Sequence, residues 1–143
     1  MNSWLRQTAR QQDDKDLIKV YVATTADEPT KIAGYYAINT TSILTEGMVG
    51  QKLPTSVPAV LLARLAVDAS YKGQGLGGYL LMNALELTTA TAEQIGIRCI
   101  VVDAIDANAG AFYKHYGFEQ LTTDPDRFVM HLQTVRTAIQ GSV

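Results

Sequence analysis

Eight residues, Tyr71-Lys72-Gly73-Gln74-Gly75-Leu76-Gly77-Gly78, carry the strongest chemical signal in this chain. They follow an apolar, strand-like run from Val60 to Val67 and open a helix-like run at Leu76. Glycine adopts backbone conformations closed to other residues and lets a ligand come close to main-chain N–H groups. The first N–H groups of a helix have no internal partner and lie at the positive end of its dipole. A strand-to-helix turn of this kind is a phosphate cradle. The chemistry to expect is recognition of a ligand that carries a diphosphate.

Three ligand classes use such turns. A P-loop needs Gly-Lys-Ser/Thr at fixed spacing, which this turn lacks. A dinucleotide fingerprint fits the string Gly73-Gln74-Gly75-Leu76-Gly77-Gly78, and Asp103 ends the next apolar run where a ribose-binding acid would stand. Against it, Asp68 to Lys72 separate the strand from the first glycine, a hairpin precedes the unit, and the chain is short for two mononucleotide-binding halves. The third class is acyl-CoA. Lys72-Gly73-Gln74-Gly75-Leu76-Gly77 follows the pattern Arg/Gln-x-x-Gly-x-Gly/Ala, with lysine as the leading donor. Downstream lies a second signature, Asn108-Ala109-Gly110-Ala111-Phe112-Tyr113-Lys114-His115-Tyr116-Gly117-Phe118.

These two segments, in this order and at this separation, resemble the GNAT acetyltransferases. Further matches narrow the resemblance to the toxin branch of that family: Trp4-Leu5-Arg6, Gly34-Tyr35-Tyr36-Ala37, Val57-Pro58 leading to Leu62-Ala63-Arg64-Leu65-Ala66-Val67-Asp68, and Thr123-Asp124-Pro125. The resemblance implies an acetyl-CoA-dependent N-acetyltransferase that modifies the α-amino group of aminoacyl-tRNA and blocks translation. It also implies a ribbon-helix-helix antitoxin as partner and, by analogy with relatives, a homodimer. Two alternatives stand beside it. One is a GNAT that acetylates a small amine or a protein N-terminus; the other is a non-catalytic CoA-binding interaction module.

The same resemblance assigns roles. Backbone atoms of Leu65, Ala66 and Val67 would pair with the pantetheine arm. The N–H groups of Lys72, Gly73, Gln74, Gly75, Leu76 and Gly77 would hold the diphosphate, with the Lys72 ammonium adding charge. Asn108 would contact the CoA arm; on its own it reads as a helix N-cap. Tyr113 would be the catalytic acid, giving its proton to the leaving sulfur. Spacing alone would also place Ala109, Phe112, Tyr113 and Tyr116 on a core-facing stripe. Many GNATs carry a catalytic glutamate on the strand that Val60 to Val67 provides here, and this run has none. Asp68 ends the run, more simply as a cap than as a base. An α-amino group with a pKa near ~8 needs less help than a lysine near ~10.4, which favours an α-amine acceptor. Arg6, Arg10, Lys15, Arg64, Lys72, Lys114 and Arg127 are the cations available to an RNA acceptor. His115, His131 and Cys99 share no metal-ligand spacing, so no metal is expected.

The elements that must position these residues emerge from periodicity. The pattern predicts a helix over 2–12, a hairpin of strands over 17–23 and 32–39, and a long loop over 40–58. A buried strand over 60–67, a helix over 76–95 and a strand over 98–103 come next. A short helix over 108–116 leads to strands over 118–121 and 128–132 and a helical tail from 133. The order predicts one domain, 1–143, with a mixed α/β (α+β) sheet, and the resemblance implies that it is the GNAT acyl-CoA N-acyltransferase fold. Compared with the family pattern, the first strand is expected to be lacking or truncated unless the true start lies upstream; if it is lacking, 17–23 would be an open edge. The composition, 47% hydrophobic and 18% charged with a net charge of −2, suits a globular chain and gives no global pull toward nucleic acid. Cys99 is the only cysteine, which rules out an intrachain disulfide. No signal pattern or spanning segment is present, and a cytoplasmic protein with no membrane role is expected.

Overall fold

Branched and aromatic residues crowd the first half of the chain, and such side chains favour pleated strands. The computed structural model describes residues 4–8, 18–46 and 54–141, the first stretch as backbone alone. Four strands come first: β1 (Trp4–Thr8), β2 (Lys19–Thr25), β3 (Gly34–Leu44) and β4 (Ser56–Val67). A 3-10 turn at Ala69–Tyr71 leads into helix α1 (Leu76–Ala92). After it come β5 (Cys99–Asp103), α2 (Ala107–His115), β6 (Glu119–Gln120), β7 (Arg127–His131) and α3 (Leu132–Gly141). The strands form a seven-stranded sheet in the order β1-β2-β3-β4-β5-β7-β6. This is the mixed sheet with helices that the sequence predicts, and β4 takes the central place its apolar run called for.

Three expectations are corrected. The segment expected as a helix over 2–12 holds strand β1, which pairs antiparallel with β2 from Trp4↔Thr25 to Thr8↔Tyr21. Pairing overrides the helical spacing because it satisfies backbone groups that β2 would otherwise leave open. The expected missing first strand and exposed edge at 17–23 are therefore not found. The predicted loop over 40–58 is shorter at both ends. Thr40, Thr41, Ser42 and Ile43 extend β3, with Ile43 buried, and β4 begins at Ser56. The Thr45 N–H donates to the Thr55 carbonyl at 2.9 Å, holding those ends together. Helix α1 stops at Ala92, before the expected Gly96, and Glu93 and Gln94 continue in tighter turns.

The chain resolves into two compact units: Met1–Asn39 with Leu62–Ala84, and Thr40–Leu61 with Leu85–Val143. In the first, β2 pairs antiparallel with β3, Tyr21 opposite Tyr36 and Val22 opposite Tyr35. Tyr36 is fully buried, stacks on Tyr21 at 5.1 Å between ring centroids, and donates its hydroxyl to Asn83 Oδ1 of α1. The helix buries Leu76, Leu80, Leu81 and Ala84, while Tyr79 is 37% exposed. Gly34 is glycine for want of room. A Cβ there would sit 2.9 Å from the Ala66 carbonyl oxygen and 2.9 Å from Leu80 Cδ1.

The second unit is built on a core of Ile43, Val57, Ala59, Cys99, Val101, Leu121 and Val129, with Leu61 packed against it. β5 and β7 pair antiparallel from Cys99↔His131 to Asp103↔Arg127. Burial pushes the Cys99 thiol up to about 11, so it packs as an apolar residue and is no nucleophile at neutral pH.

Overpacking a filled site costs about 1–3 kcal/mol. Gly34→Ala is expected to lower the Tm by roughly 3–10 °C, read by thermal unfolding. An unchanged Tm would show that the backbone of β3 shifts freely.

Candidate active site

The turn after β4 is wound in two steps. Asp68 caps the 3-10 turn: its Oδ2 accepts the Ser70 N–H at 3.1 Å and also the Ser70 hydroxyl. Those hydrogen bonds hold the Asp68 carboxyl below its usual pKa, with Lys31 adding a smaller charge effect. A carboxylate so stabilised is a poor base, and Asp68 is the cap its position suggested. Gly73 and Gly75 then take φ values of +81° and +82°, the left-handed region that favours glycine. A Cβ at Gly73 would meet nothing within 4 Å, so backbone conformation and not space selects glycine there. Leu76 is buried and anchors the start of α1, whose first internal bond is Tyr79 N–H to the Gly75 carbonyl at 3.1 Å.

This geometry refines the predicted cradle. The N–H groups of Leu76, Gly77 and Gly78 have no i−4 carbonyl within α1 and lie at the helix start, where an anion is favoured. Gly78, which the sequence reading did not include, occupies the third helical place of α1. The Lys72 N–H is instead turned back onto the Ala69 carbonyl at 3.4 Å, so Lys72 offers its exposed side chain and not its amide. Gly73 and Gln74 are exposed in the same turn. Leu65, Ala66 and Val67 at the end of β4 stay half-buried, just before the glycine turn.

A cluster that the sequence reading missed steadies the turn. The buried Tyr71 donates its hydroxyl to Glu28 Oε1 at 2.9 Å. The Lys31 ammonium lies 5.3 Å from the Tyr71 ring centroid and donates to Ser70 Oγ at 3.2 Å. The Asp68 N–H donates to the Ala33 carbonyl at 2.8 Å. Together these tie the turn after β4 to the β2–β3 turn. Residues 28 and 71 are far apart in sequence, which hid the link.

Tyr113 lies on α2, 6% exposed. Its ring packs edge-on to Phe112 at 5.3 Å and Phe118 at 5.6 Å, and tilted to Phe128 at 6.4 Å. Its hydroxyl has no hydrogen-bond partner among the described residues. Burial raises its pKa above the usual phenol value, so it remains a proton donor throughout the neutral range. The ring belongs to the core, as the spacing predicted, and the hydroxyl is uncommitted. The cap of α2 is Asp106, whose Oδ1 accepts the Ala109 N–H at 2.8 Å, and not Asn108. Asn108 sits exposed in the first turn, about 140° around the helix from Tyr113. Gly117, at φ +102°, ends the helix, and the Phe118 N–H returns to the Tyr113 carbonyl at 3.1 Å.

Of the expected cations, Arg64, Lys72 and Lys114 are exposed. Arg127 is committed to Asp103 at 2.8 Å. The side chain of Arg6, and Arg10 and Lys15, lie outside the described residues. No cluster of three metal-ligating side chains occurs among the described residues. No described helix is long and apolar enough to cross a membrane.

Residues 16–120 match the acetyltransferase (GNAT) domain. The chain belongs to this family. It is 38% identical over 112 residues to a tRNA-acetylating toxin of Mycobacterium tuberculosis (strain ATCC 25618 / H37Rv), covering 76% of this chain and 68% of the relative. It is 30% identical over 149 residues to a probable toxin TacT of Sinorhizobium fredii (strain NBRC 101917 / NGR234), covering 96% of this chain and 82% of the relative. The crystal structure of a KacTA–DNA complex superposes with a TM-score of 0.78 at 25% identity, covering 92% of this chain and 78% of that one. The protein is thus an N-acetyltransferase, and the glycine turn and Tyr113 both fall inside the matched GNAT segment.

In this GNAT domain the Asp106 cap sets where α2 begins. Replacing a capping carboxylate by alanine costs about 0.5–2 kcal/mol. Asp106→Ala is expected to reduce the urea midpoint accordingly, with the slope unchanged. No change in midpoint would show that Asn108 takes over the cap.

Proposed function

We propose that this protein is the toxin of a type II toxin–antitoxin pair, acetylating the α-amino group of charged tRNA and so stopping translation. The single observation that carries the reading is the 38% identity to a tRNA-acetylating toxin over most of both chains. The partners on this reading are aminoacyl-tRNA, a ribbon-helix-helix antitoxin and a second copy of the chain, and the site of action is the cytoplasm. All of residues 1–143 serve as one catalytic domain.

Acetyl-CoA is the donor, supplying an activated acetyl carbonyl and a thiolate leaving group. The residues present suit it. The backbone of the turn from Gly73 to Gly78 offers N–H donors for a diphosphate, and the exposed Lys72 adds positive charge. The half-buried end of β4 at Leu65, Ala66 and Val67 offers apolar surface and backbone to the pantetheine arm. Asn108 is an exposed polar group for the same arm. The acceptor amine forms the new C–N bond as the C–S bond breaks, the Tyr113 hydroxyl gives its proton to the departing sulfur, and the proton shed by the acylated nitrogen restores the phenol through solvent. β4 carries no glutamate. An α-amine near ~8 is sufficiently deprotonated at neutral pH to attack without a strong base.

Two measurements test this. General acid catalysis contributes about 10²–10⁴-fold. Tyr113→Phe is expected to lower kcat by that order while leaving acetyl-CoA affinity unchanged by calorimetry; an unchanged kcat would remove Tyr113 from the mechanism. Incubation with labelled acetyl-CoA and bulk charged tRNA is expected to place the label on the aminoacyl group. Label found only on small amines or on protein would replace the toxin reading with a GNAT of another acceptor. Binding of CoA with no turnover on any amine would leave a binding module.

A further inference from the structure

β5 and β7 end on a charged fork. Asp103 closes β5, Arg127 opens β7, and the two stand opposite each other in the antiparallel register. Arg127 Nε donates to Asp103 Oδ1 at 2.8 Å, and its Nη2 donates to Oδ2 at 2.9 Å. Two parallel bonds from a planar guanidinium fix direction as well as distance, which a lysine cannot do. Immediately beyond the fork, the Ala104 N–H donates to the Asp126 carbonyl at 2.8 Å, carrying the ladder one residue further.

On the β5 side, the chain runs from the fork into the start of α2. On the β7 side, it runs into the platform under that helix. Asp106, three residues after Asp103, caps α2 through the Ala109 N–H. Phe128, next to Arg127, touches α2 at two places. A Cβ on Gly110 would lie 3.1 Å from Phe128 Cζ, and the Tyr113 ring centroid is 6.4 Å from that of Phe128. The connection from Asp103 to Asp106 is thus tied to β7 at one end and to the helix at the other. Fork, cap and platform together fix both how α2 starts and what it rests on.

We propose that the Asp103–Arg127 fork is a positioning device for Tyr113, acting through Phe128 and through the β5–α2 connection without touching either substrate. The inference rests on the reading of Tyr113 as the catalytic acid. Loosening the fork lets the start of β7 and the start of α2 move independently, and the phenol leaves its productive position. The mutual hydrogen bonds that lower the Asp103 pKa and raise that of Arg127 keep the fork charged across the neutral range, so its grip does not vary with pH there.

The test is a double-mutant cycle in the full chain, reading CoA release with charged tRNA as acceptor and acetyl-CoA affinity by calorimetry. A misplacement near 1 Å costs about 10²-fold. Arg127→Gln is expected to lower kcat about ten- to a hundredfold and to leave acetyl-CoA affinity in place. Arg127→Lys, which keeps the charge but not the fork, is expected to recover only part of the loss. In the Tyr113→Phe background, Arg127→Gln is expected to cost nothing further, because the group it positions is gone. Equal losses in both backgrounds, or a loss confined to acetyl-CoA affinity, would overturn the proposal and leave the role of Tyr113 standing. An unchanged kcat for Tyr113→Phe alone would overturn the role of Tyr113 and the proposal with it. Asp103→Asn, close in shape and weaker in grip, provides the same cycle if Arg127→Gln does not fold.

Discussion

On the proposed reading, the diphosphate site depends on a few backbone N–H groups at the start of α1 being held in a fixed place with no carbonyl partner inside the helix. Unpaired donors are easy to have at a frayed end and hard to have in a rigid one, so the surrounding residues must supply rigidity without supplying acceptors. Leu76 does this from inside, buried against the sheet. Asp68 and Ser70 do it from the strand side, closing the 3-10 turn. Tyr71, Glu28 and Lys31 do it from the neighbouring hairpin turn. The two glycines at positive φ then turn the chain between these anchors without placing a side chain over the donors.

The protonation chemistry fits one pH window. Burial raises the Tyr113 pKa, so the phenol keeps its proton well above neutrality. An aminoacyl α-amine loses its proton near or below ~8. On the proposed reading, acid and nucleophile are therefore both in their working forms in the same range, with no carboxylate base required. That explains how β4 can lack a glutamate. It also explains why Asp68, whose bonds to Ser70 make it a weaker base still, can be spent on holding the turn.

The sequence was most legible where backbone conformation dictates residue type. Gly73 and Gly75 stand at positive φ, and Gly117 ends α2 in the same region, as their positions predicted. The apolar run of β4 and the spacing of α2 were equally readable, because burial and periodicity coincide there. It was least legible where two residues of the same aptitude compete. Asn108 and Asp106 are both good caps two positions apart, and the choice falls to Asp106, which holds extended backbone at φ −160°. At the start of the chain, helical spacing lost to cross-strand pairing with β2, which a local pattern cannot reveal. Thr40 to Ser42 looked polar enough for a loop, yet β-branched residues beside the buried Ile43 carry β3 onward. The cluster at Tyr71 and the fork at Arg127 were not legible at all, since each joins residues distant in sequence.

The fork shows why stability is a poor guide to what a charged pair is for. Its side chains are 30% and 52% exposed, and pairs in that range contribute about 0–1 kcal/mol to folding. A tally of stabilising interactions would pass over it. Yet it sits where β5 stops being sheet and becomes the approach to α2, beside the last backbone bond of the ladder, Ala104 N–H to the Asp126 carbonyl. Bidentate geometry narrows the directions open to the chain there at little energetic return, and on the reading proposed above the Tyr113 hydroxyl, with no hydrogen bond of its own, depends on such remote constraints to stay aimed. Where a phenol is held by ring packing, as Tyr113 is, directional bonds at the foot of its helix are the means by which packing would become placement.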